Sequence, residues 1–118
     1  MAKIAGTCYV KVDGLQLSIT GGIEVPMNTR VNDDVIGLDG SVDRKETHRA
    51  PYTKITAKVP KGFPIDKITS SDDMTMTSEL ANGLVYVLTE AWLFGEANYN
   101  PEEGTVDLEF HGSEGFFQ

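Results

Sequence analysis

The chain has 118 residues, with 10 Lys and Arg against 18 Asp and Glu, a net charge of −8 and a single cysteine. That length suits one domain, residues 1–118, with a core large enough to need no staples. The acidity argues against a protein that grips nucleic acid by its phosphates, and one cysteine rules out an internal disulfide framework and favours a reducing compartment. The longest uncharged runs, Gly14 to Ile23 and Leu80 to Thr89, hold ten residues each. A membrane-spanning helix needs ~20, and no signal-peptide pattern opens the chain, so no membrane role is expected.

Strand-period alternation begins at Thr7 to Val12, where Cys8, Val10 and Val12 share one face and Thr7, Tyr9 and Lys11 the other. Asp13-Gly14 supplies a two-residue turn, because Gly accepts positive φ and Asp tolerates it. Leu15, Leu17 and Ile19 return, alternating with Gln16, Ser18 and Thr20. Gly21-Gly22 interrupts the pattern before Ile23, Val25 and Met27 resume it, and Pro26 marks an edge or bulged strand. Asn28 to Pro51 is polar and irregular. A connection of that length is usually functional or disordered, and a strand at about Gly40 to Thr47 would make it a protruding hairpin.

Ile55, Ala57 and Val59 then oppose Lys54, Thr56 and Lys58 in a strand over Thr53 to Val59. The longest stretch free of Gly and Pro, Ile65 to Asn82, is rich in Ser, Thr and Asp. It leaves room only for a short helix from Ile65 to Ser70. Met74 to Leu80 and Leu84 to Phe94 flank Asn82-Gly83, a strong hairpin signal. The second of these strands is apolar on both faces, which predicts a central strand covered on both sides, with Trp92 in the core. The last strand, Thr105 to Phe110, turns Val106, Leu108 and Phe110 inward and Asp107 and Glu109 outward. The expected fold is mainly β: two packed antiparallel sheets, sandwich- or barrel-like, with one short flanking helix and a long protruding loop or hairpin.

Charge is unevenly distributed. Residues 1–59 carry eight basic and seven acidic side chains, a net of +1, and residues 60–118 carry two and eleven, a net of −9. Five of the ten basic residues fall between Arg44 and Lys58. A chain so divided can attract copies of itself head to tail, although an uneven solvated surface would look the same.

No catalytic arrangement is legible, and no enzyme activity or cofactor is expected. His48 and His111 have no Cys or His at zinc spacing. Cys8 shares a face with Val10 and Val12, which predicts a buried small hydrophobe rather than a nucleophile. The pairs Asp33-Asp34, Asp72-Asp73 and Glu102-Glu103 point opposite ways along an extended chain, so they form no acid–base dyad. The Asp34 to Gly40 segment lacks the spacing and closing Glu of a calcium loop, so no metal site is expected. Gly21-Gly22 has no helix or Lys after it to hold a phosphate.

Several segments resemble, in order and spacing, the tail tube proteins of Mu-like contractile-tailed phages. They are Ile4-Ala5-Gly6-Thr7, Tyr9 to Gly14, Gly22 to Asn28, and Lys45-Glu46-Thr47 with Pro51-Tyr52. Leu80 to Gly83 with Tyr86-Val87-Leu88, Ala91-Trp92, Glu103-Gly104 and Glu109 to Gly112 complete the set. The resemblance implies hexameric rings of this chain, stacked into a hollow tube that carries the genome during ejection. It further implies a sheath protein around the tube, a tape-measure protein inside it and a baseplate beneath it. The location implied is the virion tail, after assembly in the host cytoplasm.

The long loop of such proteins reaches the adjacent ring, which makes Asp33, Asp34, Arg44, Lys45, Glu46, His48 and Arg49 candidates for inter-ring contacts. DNA would be cargo and not ligand, since lumenal carboxylates repel phosphates. The polar strand faces offer Gln16, Ser18, Thr20, Glu79, Asp107 and Glu109 as candidates for the lumen wall. Lys54 and Lys58 would count against a uniformly acidic lumen if they pointed there. Two alternatives stand beside this reading: a tube subunit of a related contractile injection system, and a small β-sandwich binding module. The binding module predicts a concave patch of exposed aromatics, whereas most aromatics here fall on faces expected to be core.

Overall fold

The computed structural model describes residues 8–118; Thr7, and the side chain of Cys8 whose burial was expected, lie outside the described residues. The elements in order are β1 (Cys8–Val12), β2 (Leu15–Leu17), β3 (Ile19–Glu24), β4 (Arg30–Ile36), β5 (Val42–His48), β6 (Tyr52–Lys58), α1 (Ile65–Ser70), β7 (Met74–Leu80), β8 (Val85–Leu93), β9 (Tyr99–Asn100), β10 (Thr105–His111) and β11 (Glu114–Phe117). One antiparallel sheet runs β2-β1-β7-β8-β10-β6-β3, with β11 added to β8 and β9 to β10. Only Ser18 separates β2 from β3, so the two ends of this path meet and the sheet nearly closes into a seven-stranded barrel. At the seam Lys58 N donates to Ser18 O at 2.8 Å. Strands β4 and β5 form a separate two-stranded ribbon.

The turns are those the sequence predicts. Asp13 and Gly14 take φ of 49° and 85°, and Gly83 takes 92°. The run Leu15 to Ile23 departs from expectation, because Gly21-Gly22 lies inside β3, where the register against β6 shifts between Ile19 and Ile23. Glycines spare that kinked edge strand the crowding of side chains. Pro26 falls beyond the strand.

The larger departure is in β8. Met74 pairs with Ala91 and Met76 with Leu88, which leaves one extra residue on β8, and Glu90 sits at φ 50°. This bulge turns the strand from its neighbours β7 and β11 toward β10, the corner by which one strand serves two sheets. Burial changes parity there, from Tyr86 and Leu88 to Ala91. The strand is therefore buried on one face at a time: Val85 and Val87 are half-buried, and Trp92 is 38% exposed instead of in the core.

The barrel is filled by the inward set, including Val10, Val12, Ile55, Ala57, Met74, Met76, Leu88, Leu108 and Phe110. Ile68 on α1 joins this core and is 1% exposed. Helix α1 is too short to persist alone. Packing of Ile68 and a bridge from Lys67 Nζ to Asp13 Oδ2, 2.9 Å, hold it to the barrel. The Lys67 contact, with the Thr75 amide, holds the Asp13 carboxyl below the usual Asp range.

A depressed carboxylate stabilises the fold above its unfolded-state pKa, and that stability disappears as pH falls through the folded one. Lys67→Met is thus expected to cost about 0.5 to 1 kcal/mol at neutral pH, the partly exposed pair being screened. In urea titrations the gap from the parent should persist down to about pH 4 and close below it.

Thr53 Oγ1 is fully buried with no partner among the described residues. An unsatisfied hydroxyl carries its desolvation cost uncompensated. Thr53→Val is expected to raise stability by about 1 kcal/mol, measurable by the same titration.

Candidate assembly surfaces

The ribbon is the feature least explained by folding. β4 and β5 pair without interruption from Arg30 opposite His48 to Ile36 opposite Val42. All of β5, and all of β4 except the half-buried Val31, is exposed. At its foot Arg49 N donates to Thr29 O at 3.0 Å, and Arg49 Nε donates to Asn28 O at 3.0 Å. At its tip Gly37 N donates to Ser41 O at 2.8 Å, with Gly40 at φ 85°. Ser41 Oγ donates to Asp39 Oδ1 at 2.7 Å, which holds that carboxyl below its usual range.

The loop residues singled out by sequence are distributed along this ribbon. Asp33 stands opposite Lys45 and Asp34 opposite Arg44. Arg30 Nη1 donates to Glu46 Oε1 at 2.7 Å, and Arg44 lies 4.0 Å from the same carboxylate, so part of the ribbon's charge is answered within it. Arg49 differs: it sits at the foot, 5.4 Å from the centre of the Tyr52 ring, and does not project. What sequence reading missed is an apolar tip. Ile36, Leu38 and Val42 are more than half exposed and Val35 nearly so, with Leu38 wholly in solvent. The signal was present as four apolar residues between 35 and 42, hidden by averaging over the polar stretch Asn28 to Pro51.

The lumen candidates do not share a surface. Gln16, opposite Lys11, and Glu79, opposite Tyr9, lie on the outer face of the β2-β1-β7-β8 half. Asp107 and Glu109 lie on the outer face of β10, opposite Thr56 and Lys54. The inward residues of these two halves face each other, so the two sets look in different directions. Ser18 and Thr20 mark the seam between them.

On the β10 side Thr56 Oγ1 donates to Asp107 Oδ1 at 2.7 Å, and His111 Nε2 donates to Glu109 Oε2 at 2.6 Å. Lys54 Nζ stands 3.9 Å from both Glu24 and Glu109. Tyr52 OH donates to Glu24 Oε2 at 2.7 Å, which raises the phenol's pKa. Phe94 stacks on His111 with ring centres 3.8 Å apart. The other half presents Tyr9, Val85, Val87 and Phe116, with Phe116 opposite Val87. Exposed aromatics thus occur on both faces, contrary to the expectation that most would be core.

Among the described residues, no three His, Cys, Asp or Glu side chains are placed to hold a metal ion. No helix among them is long and apolar enough to cross a membrane.

The fold has close parallels among solved structures. The sheath/tube terminator of an extracellular contractile injection system superposes with a TM-score of 0.70, covering 100% of this chain and 97% of that one at 10% identity. Hcp1 from Flavobacterium johnsoniae gives 0.63 over 93% of both chains at 9% identity. The sheath-tube complex of the same kind of injection system gives 0.63 over 94% of this chain and 87% of that one at 8% identity. A search of curated proteins returns no match. These likenesses establish the fold and do not single out the Mu-like group. The family model described as phage tail tube protein matches residues 1–116, and on that match the chain belongs to the phage tail tube protein family.

Proposed function

We propose that the chain is the tube subunit of a contractile injection machine, a phage tail or a related injection system, assembling as hexameric rings that stack into a hollow conduit. The observation that carries this reading is the ribbon: seven residue pairs of regular strand held away from the core, with nothing among the described residues burying its tip. An exposed two-stranded element with free edges is an aggregation hazard unless a partner covers it. A contact between unlike surfaces of identical chains repeats along an axis and yields a filament. The sheath and tube structures with the same fold support a sheath protein as a further partner; tape-measure and baseplate proteins are partners by family resemblance alone.

In this reading the face bearing Asp107, Glu109 and Glu24 lines the lumen, since its carboxylates outnumber Lys54 and Lys58 and repel DNA in transit. The more apolar face of Val85, Val87 and Phe116 is then left for contact with neighbouring protein. The basic side chains of the ribbon meet carboxylates of the next ring and set register more than affinity.

Negative-stain microscopy of the concentrated protein tests the reading, with rings or stacked tubes as the expected result. A chain that stays monomeric at high concentration and binds glycan through its exposed aromatics would overturn it. Arg44→Glu with Lys45→Glu is expected to shorten or abolish tubes while circular dichroism and melting stay those of the parent. Arg49 is left intact in that variant because it fastens the ribbon's foot.

A further inference from the structure

Three dipeptides in the chain place glycine after Asn or Asp: Asp13-Gly14, Asp39-Gly40 and Asn82-Gly83. In each, the glycine nitrogen can close a cyclic imide on the preceding side-chain carbonyl carbon, because no Cβ shields that nitrogen. The other four asparagines precede Thr, Asp, Tyr and Pro, which crowd the nitrogen or, for Pro, leave it without a proton. All three glycines sit in turns at positive φ, of 85°, 85° and 92°. What separates the three sites is how each side chain is held.

Both aspartates are pinned. Asp13 Oδ1 accepts from Thr75 N at 2.8 Å, and Oδ2 lies 2.9 Å from Lys67 Nζ. Asp39 Oδ1 accepts from Ser41 N at 3.0 Å and from Ser41 Oγ at 2.7 Å. These contacts hold each carboxyl below the usual Asp range, and an ionised carboxylate has no leaving group to give up. Asn82 is a neutral amide, and it is exposed together with Gly83 and Leu84. Its Oδ1 accepts from Leu84 N at 3.2 Å, a long bond that turns the side-chain carbonyl toward the following backbone. Its Nδ2 donates to nothing among the described residues. Gly83 N donates to Leu80 O at 3.0 Å, one bond at the exposed end of a hairpin, where opening costs little. Nothing stands within 4 Å of the place a Gly83 Cβ would take.

We propose that Asn82 is a site of spontaneous deamidation. Gly83 N bonds to Asn82 Cγ as the Cγ–Nδ2 bond breaks. The proton lost by Gly83 N passes through water to the departing nitrogen, which leaves as ammonia. Water then adds to one carbonyl of the imide. Opening at Cγ leaves aspartate, and opening at the backbone carbonyl leaves isoaspartate, whose main chain runs through Cβ and is longer by one carbon. The reaction needs water and no oxidant, metal or cofactor. Either product adds a negative charge to the half of the chain that already carries −9. The longer isoaspartate backbone also displaces the bonds that close the turn, Gly83 N to Leu80 O and Leu80 N to Leu84 O, 3.0 and 2.9 Å. The site belongs to the barrel itself and does not depend on the tube reading.

Peptide mapping by mass spectrometry, on folded protein warmed at mildly alkaline pH, tests the site. Asn82 is expected to convert before any other asparagine, into a mixture of aspartate and isoaspartate. Its rate should lie within about tenfold of that in the urea-unfolded chain, since one exposed hydrogen bond is worth about that factor or less. Asp13 and Asp39 are expected to stay unisomerised in the folded chain over the same time. Asn82→Gln should abolish the acidic form that accumulates on ion exchange and leave the melting temperature that of the parent. Conversion in the folded chain slower than in urea by more than about tenfold overturns the site, because the turn then protects it. Conversion of another asparagine, Asp13 or Asp39 ahead of Asn82, or an acidic form that persists in Asn82→Gln, overturns it as well.

Discussion

Excision of the ribbon is expected to leave a barrel that folds as before and no longer stacks. Thr29 and Arg49 are already joined by a backbone hydrogen bond of 3.0 Å, so an Asn-Gly turn closes residues 29 and 49 in place of residues 30–48. None of the removed side chains belongs to the buried core. The apolar burial that stabilises the barrel is therefore untouched, and the midpoint of thermal unfolding should stay within a few degrees, the shift of about 1 kcal/mol in a domain this size. Stacking would lose every contact assigned to the ribbon, so microscopy should show rings without tubes. Tubes as long as the parent's would remove the ribbon from the assembly.

A large loss of stability from a single methyl group is expected at Gly115. A Cβ there would run into Tyr86 OH and lie 2.7 Å from Pro51 Cβ, so the change forces both neighbours to move. Overpacking of this kind costs about 1 to 3 kcal/mol. Tyr86 OH is itself buried without a partner among the described residues, and its burial raises the phenol's pKa. Tyr86→Phe alone is expected to be neutral or slightly stabilising, because it removes an unsatisfied hydroxyl.

The double variant gives the sharper result. With the hydroxyl gone, Gly115→Ala is expected to cost less than half of what it costs in the parent, a coupling readable from a four-way urea cycle. Additive effects would mean that the clash lies with Pro51 or with the ring of residue 86, whose Cζ would stand 2.8 Å from the new methyl. Since Gly115 pairs with Leu88 at the β11 edge, the experiment also reports how firmly β11 is attached to β8.

Much of the fold was legible because alternation and turn chemistry are local. Asp13-Gly14 and Asn82-Gly83 marked two hairpins, and the helix from Ile65 to Ser70 coincides with α1. The parity change at Glu90 was not legible. Glu90 at positive φ has no turn signature of the kind that Asp13-Gly14 carries, and the apolar run Leu84 to Phe94 reads equally well as a strand buried on both faces. Trp92 was misplaced for that reason. β9 and β11 are short additions to strands distant in sequence, and only the sheet they join makes them strands.

The assembly surfaces divide in the same way. Sequence by itself determined that Asn28 to Pro51 is too long and too polar to be core, that the chain is strongly acidic, and that the likeness to tail tube proteins runs along almost the whole chain. Tertiary structure decided that the long segment is a ribbon with an apolar tip, that Arg49 fastens its foot, and that Glu79 and Asp107 look in different directions. The physical reason is that alternation reports which residues share a face of one strand. How faces and ends are disposed in space depends on bulges, closure and strand order, and these are settled by contacts between residues far apart in the chain.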